Sequence, residues 1–119
     1  MVTGPVEGWR AKPGETGMPE PKIAIPHDGL EAFCRKWKVE EFSLFGSVLR
    51  DDFRPDSDVD VLVVIAEGAG WSLFDLVEMK EELEFLFGRA VHLVEKDALR
   101  NPFRRKEILE TRMVVHVAA

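Results

Sequence analysis

The stretch Leu44-Phe45-Gly46-Ser47-Val48-Leu49-Arg50, followed by residues 51–57 and then Asp58-Val59-Asp60-Val61-Leu62-Val63-Val64, decides the fold. It reads as a short apolar strand, a Gly-Ser turn, one turn of helix, a polar loop and a second strand that opens with two carboxylates. Gly46 has no Cβ, so the backbone can turn sharply there and approach a ligand closely. Ser47 is placed to open a helix whose N–H groups and positive dipole end favour phosphate. Arg50, one turn on, can donate to phosphate oxygens in a fixed fork. Asp58 and Asp60 alternate with Val59 and Val61, so in a strand both carboxylates share one face, about 7 Å apart at Cα. That spacing suits two oxygen-preferring cations about 3.5–4 Å apart, clamping a triphosphate for in-line displacement.

Gly46-Ser47, ten intervening residues and then Asp58-x-Asp60 resemble the signature of the polymerase-beta-like nucleotidyltransferases. The compact chain is similar to their smallest branch, the minimal nucleotidyltransferases that pair with HEPN proteins as toxin–antitoxin modules. The likeness runs from about Ile23 to Ala119 and takes in Arg50 and Ser57 as well as the glycine, serine and both aspartates. A lone Asp-x-Asp would carry little weight, since two acidic residues in a turn are usually only solvated. The resemblance implies an α/β (α+β) fold, a small mixed sheet of three to four strands with helices on one face. It implies Asp58 and Asp60 as catalytic residues and ligands of Mg2+, with Mn2+ as the alternative, and ATP as substrate. Gly46, Ser47 and Arg50 would bind the nucleotide. Family members often have glycine where this chain has Asp51, so the turn after Arg50 is expected to differ slightly.

A second departure concerns the third carboxylate. In the family this chain resembles, it comes from the strand that here reads Val91-His92-Leu93-Val94, and alignment of that strand puts His92 in its place. Imidazole is a softer ligand than carboxylate, better matched to zinc or manganese than to magnesium. Histidine can serve as a general base near neutrality. Glu95 is no simple substitute, because three residues along a strand it faces the other way. Three readings stay open: His92 as catalytic base or unusual metal ligand, a nucleotide-binding protein with little turnover, or His92 as a packed surface residue without a role.

Composition bounds the rest. A chain of 119 residues has room for one domain with one modest core. The net charge of −6 argues against nucleic acid as a direct partner, because a phosphate backbone would be repelled, although a local basic face could override the average. Cys34 is the only cysteine, so no internal disulfide can form, and its place on an apolar helix face predicts a buried, inert thiol. No apolar run is long enough to span a bilayer and no signal-peptide core is present, so a cytoplasmic location is expected, with no membrane partner.

Residues 1–22 are rich in proline and glycine and are expected to be a flexible tail in which Trp9 is the one large apolar residue; Met18 could be the true start. The domain is expected over 23–119, with Ile23 to Ile25 a candidate edge contribution. Asp28 with Glu31 predicts a capped helix whose stripe is Leu30, Phe33, Cys34 and Trp37. Asp51 and Asp52 are metal candidates by residue type, but loop acids beside Arg50 more often form surface pairs. Ser72 and Asp75 open the next helix, predicted to face inward with Leu73, Leu76, Val77, Lys80, Leu83 and Phe87 and to end at Gly88. Asn101-Pro102 starts another, with Phe103, Ile108 and Leu109 inward. Near its start cluster Arg100, Arg104, Arg105 and Lys106, read as a solubilising group, a phosphate contact or a patch for an acidic partner. The apolar tail 113–117 is expected to dock or pair.

The resemblance implies transfer of a nucleoside monophosphate, AMP from ATP, to a hydroxyl, with a tyrosine of a HEPN toxin as acceptor. The competing class is a binding module that silences the same partner by occlusion. Transfer to a small molecule is disfavoured, because no second domain is present to enclose one.

Overall fold

A computed structural model describes residues 22–51 and 53–118. The expected tail, with Trp9 and Met18, lies outside the described residues, as does Asp52. The Lys22 N–H donates to the Val48 carbonyl at 2.9 Å, and Ile23 and Ile25 pack against the core without forming a strand.

Helix α1 spans His27–Trp37 and buries Leu30, Phe33, Cys34 and Trp37, as their helical spacing demands. Its start differs from the expected one. Pro26 occupies the cap position with no side-chain bond, so Asp28 sits inside the first turn and meets the positive end of the helix dipole instead of capping it. Lys38, left-handed at φ 58, ends the helix with its N–H on the Cys34 carbonyl. Strand β1 (Val39–Phe45) follows, then a 3-10 turn over Gly46–Leu49 and strand β2 (Val59–Ile65). Helix α2 (Leu73–Phe87), strand β3 (Val91–Glu95), helix α3 (Pro102–Thr111) and strand β4 (Met113–Val117) complete the order.

The four strands form one mixed sheet in the order β3-β2-β1-β4. β1 runs antiparallel to β2 and to β4, while β2 and β3 are parallel, joined by the α2 crossover. The apolar tail is thus an edge strand, with Met113 opposite Leu44.

Strand alternation sorts the core into two layers. Phe42, Leu44, Val59, Val61 and Val63 join the residues of α1 and α2 in the main core. Phe45 and Leu62 point the other way and meet Ile108 of α3, with Val94, Leu99 and Leu109 packed around them. The expected mixed sheet is present, but α3 departs from the single helical face: α1 and α2 back one side, and α3 partly covers the other. The cause is Leu62, which makes the β2 run apolar on both faces and leaves a second surface to bury.

In α2 the Ser72–Asp75 capping box forms, and Gly88 ends the helix at φ 72. The buried side differs from the expected one. Met79 and Leu83 are buried, with Leu76, Leu86 and Phe87 partly so, whereas Leu73 and Val77 are exposed. Tryptophan contacts set the rotation. Trp71 Nε1–H donates to the Trp37 carbonyl at 2.7 Å, and Glu82 accepts from Trp37 Nε1 at 3.1 Å and from Lys36 Nζ at 2.6 Å. Fixing Glu82 toward α1 turns Met79 and Leu83 onto the sheet. In α3, Asn101 caps Phe103 and Arg104 as predicted and Ile108 is buried, but Phe103 is 84% exposed.

Candidate nucleotide site

Antiparallel pairing of β1 with β2 sets Phe45 opposite Asp60 and so brings the two halves of the motif together. Gly46 follows immediately at φ +77, a conformation that L side chains rarely adopt. A Cβ there would collide with Asp60 Oδ2 and lie 3.1 Å from Asp60 Cγ, so the missing side chain is what lets the carboxylate sit against the turn. The close approach expected of Gly46 is therefore made, in this structure, to Asp60.

Parallel pairing of β2 with β3 sets His92 opposite Asp60 on the other side. His92 Nδ1 lies 3.2 Å from Asp60 Oδ1, with the Asp60 side chain 23% exposed and the histidine 52%. His92 therefore lies on the same face of the sheet as Asp60, in the adjacent strand. Glu95 pairs with Val63, whose side chain lies in the main core, so it faces away from Asp60. Asp58 lies just before β2 and is exposed. Among the described residues no three His, Cys, Asp or Glu side chains gather as a cation cage. Asp58 and Asp60 are the carboxylates that would hold a hard cation such as magnesium, which takes one or two carboxylates and keeps several waters.

Ser47 does not open a helix with a useful dipole. The segment is four residues of 3-10 turn that close when the Arg50 N–H donates to the Ser47 carbonyl at 2.9 Å. Any attraction for phosphate at this turn would have to come from cationic side chains. A cleft of about 440 Å³ opens here on the side of the sheet that α3 partly covers. Gly46, Leu49 and Arg50 line it from the turn, Asp60 from β2, and Arg104 and Glu107 from α3. Ser47, Asp58 and His92 do not line it.

The loop between the motif halves is closed by residues the sequence did not single out for that task. Arg54 N–H donates to Ser57 Oγ and Ser57 N–H to the Arg54 carbonyl, both at 2.9 Å. Arg89 Nη1 donates to the carbonyls of Arg54 and Ser57 at 3.2 and 3.3 Å, and its guanidinium lies 4.6 Å from the Phe53 ring centre. Lys22 Nζ stands 3.4 Å from Asp51 Oδ1, a surface pair. Lys80, expected at the rim of a buried stripe, is exposed and donates to Glu84 Oε2 at 2.8 Å. That bond, opposed by a smaller desolvation and aided by the charges of Glu84, Asp58 and Glu81, holds its ammonium above the usual range. Glu84 in turn accepts from the Val91 N–H at 3.1 Å, and the bonds from Lys80 and Val91 hold its carboxyl below the usual range. Arg89 and Glu84 therefore pin the loop and the start of β3 beside the site.

Comparison with known proteins identifies the family of the chain. The family model described as "Nucleotidyltransferase domain" matches residues 28–115. A protein of Methanocaldococcus jannaschii is 36% identical over 75 residues, covering 63% of this chain and 74% of the relative. Protein adenylyltransferase MntA of Thermococcus cleftensis is 37% identical over 75 residues, with the same shares of 63% and 74%. A solved structure described as a minimal nucleotidyltransferase superposes with TM-score 0.61 at 32% identity, covering 72% of this chain and 85% of that one. At 17% identity, where likeness is of fold alone, a toxin–antitoxin structure with AMP-PNP reaches TM-score 0.64 over 79% of this chain and 75% of that one. Among the described residues, no helix is long and apolar enough to cross a membrane. On the match over residues 28–115 and the joined Gly-Ser and Asp-x-Asp halves of its motif, the chain belongs to the nucleotidyltransferase domain family.

Proposed function

We propose that the protein transfers AMP from ATP to a hydroxyl of a partner protein, a tyrosine of a HEPN-type toxin, and so neutralises it. The observation that carries this reading is the seating of Asp60 between Gly46 and His92, where it lines a cleft together with Gly46 and Arg50. Relatives named protein adenylyltransferase, and a solved complex of a tri-AMPylated Shewanella oneidensis HEPN toxin with its MNT antitoxin, support the acceptor class. That complex superposes at TM-score 0.58 over 78% of this chain and 71% of the matched chain.

In this reading Asp58 and Asp60 hold magnesium, and the turn at Gly46-Ser47 with Arg50 seats the phosphates. When bound, magnesium would neutralise phosphate charge and stabilise the attacking and leaving oxygens. The acceptor oxygen attacks the α-phosphorus, the bond to the bridging oxygen breaks, and pyrophosphate leaves. His92 takes the hydroxyl proton: with Nδ1 donating to Asp60, the accepting nitrogen is Nε2. A second reading is favoured by the same residue. His92 stands where the resemblance implies a third carboxylate, which would leave a nucleotide-binding antitoxin that acts by occlusion with little turnover.

Labelled ATP and a purified HEPN-type partner protein decide between them. Added mass on a partner tyrosine, in steps of AMP and dependent on magnesium or manganese, supports transfer. A stable complex with an unmodified partner supports occlusion. Failure to form any complex overturns both.

A further inference from the structure

The face of α3 that meets the cleft has a composition that the family motif does not explain. Arg104, Glu107, Ile108 and Thr111 recur at helical spacing and so share one side of α3. Ile108 anchors that side on Phe45 and Leu62, while Arg104 and Glu107, both exposed, stand at the cleft. The helix carrying them is fixed at both ends. Asn101 caps its start, Arg105 Nη1 donates to the Lys96 carbonyl at 3.0 Å, and Arg112 Nε donates to Glu41 Oε2 at 3.0 Å near its end.

We propose that α3 forms the second wall of the nucleotide site, with Arg104 binding the polyphosphate and Glu107 accepting the ribose hydroxyls. This deepens the nucleotide-binding reading above and rests on it. A short 3-10 turn supplies little dipole, so a triphosphate needs guanidinium donors, and Arg104 adds one from the wall facing Arg50. Glu107 is acceptor-only when ionised and would repel phosphate, so it must meet the part of the ligand that donates. Residues three apart on a helix stand about 5–6 Å apart at Cβ, which places Glu107 one sugar's width from a phosphate held by Arg104. The donors at that distance from an α-phosphate are the ribose hydroxyls.

Calorimetric titration of the full chain with magnesium tests each part, using ATP, inorganic tripolyphosphate, adenosine and 2′,3′-dideoxy-ATP as probes. Arg104→Ala is expected to weaken ATP and tripolyphosphate by about tenfold or more and to leave adenosine unchanged. Glu107→Gln is expected to leave tripolyphosphate unchanged and to narrow the preference for ATP over the dideoxy analogue by several-fold. Both residues are exposed, so unaltered melting temperatures should accompany these losses, and Arg104→Lys should recover part of the phosphate affinity. If wild type binds ATP and Arg104→Ala binds it equally well, the second wall is overturned while the nucleotide reading stands. If wild type binds neither ATP nor tripolyphosphate, both are overturned.

Discussion

Gly46 and Asp60 occupy one another's space: the carboxylate of Asp60 fills the volume that any side chain at Gly46 would need. The two halves of the motif are therefore in contact before any ligand arrives. Gly46→Ala adds a left-handed strain at φ +77 to a collision with Asp60. It should cost about 1–3 kcal/mol of stability and abolish ATP binding, measured by denaturant unfolding and titration calorimetry. Wild-type affinity in this variant would show that Asp60 can leave the turn without consequence.

Changing Asp58 and Asp60 together to Asn should remove magnesium-dependent ATP binding while leaving the fold intact. Two carboxylates facing a triphosphate repel it unless a cation lies between them. Titrations in magnesium and in chelator provide the check, and equal affinity in both for the wild type would sink the two-aspartate site.

The His92 variants separate chemistry from binding. If Nε2 is the working base, His92→Ala should lower transfer by about 10²–10⁴ with ATP affinity nearly unchanged. His92→Asp should then give no gain. A marked gain in magnesium-dependent transfer for His92→Asp would instead identify the missing third carboxylate as the limit on this site. Labelled-nucleotide incorporation in magnesium and in manganese distinguishes the two.

Glu82 gives a pH signature. Burial alone would raise its carboxyl, but the hydrogen bonds from Lys36 and Trp37 outweigh that and hold it below the ordinary 4.5. A depressed carboxyl stabilises the fold above the unfolded value, and that stability is lost as pH falls through the folded one. Glu82→Gln can still accept from Trp37 but carries no charge for Lys36. It should lower Tm by roughly 1–3 °C at pH 7, with the gap closing in acid below about pH 4.

Cys34 is buried in α1, and desolvation pushes its thiol up to about 12. A thiol reagent at pH 8 should leave the native protein unlabelled and modify one site per chain after denaturation. Fast labelling of native protein would mean that α1 opens readily.

Much of this was legible locally. The Ser72–Asp75 box, Gly88 and Asn101-Pro102 are short-range signals whose partners lie within a turn. The place of His92 near the aspartates was legible only through the resemblance, because alternation fixes which residues share a face and not which strands pair. The buried face of α2 was not. Apolar residues surround that helix, from Leu73, Phe74 and Val77 to Met79, Leu83 and Phe85, so periodicity alone does not select a side. The choice falls to the contacts of Trp71 and Glu82 with Trp37 of α1, which is remote in sequence. Arg104 had phosphate contact among its readings, but its position at the cleft depends on α3 crossing to the second face of the sheet. Nothing in residues 102–111 alone announces that.

The strand order also bears on how the chain is born. β4 pairs with β1, yet a ribosome moving at about 5–20 residues per second needs roughly 3–14 s to travel from Phe45 to Met113. Throughout that interval the outer edge of β1 offers bare N–H and C=O groups to any strand that passes, including the same segment of a neighbouring nascent chain. Arrival of residues 113–117 closes the edge. Polysomes crowded with this message should therefore be the setting in which strand exchange between copies is most probable, and slowed translation after Phe45 should aggravate it.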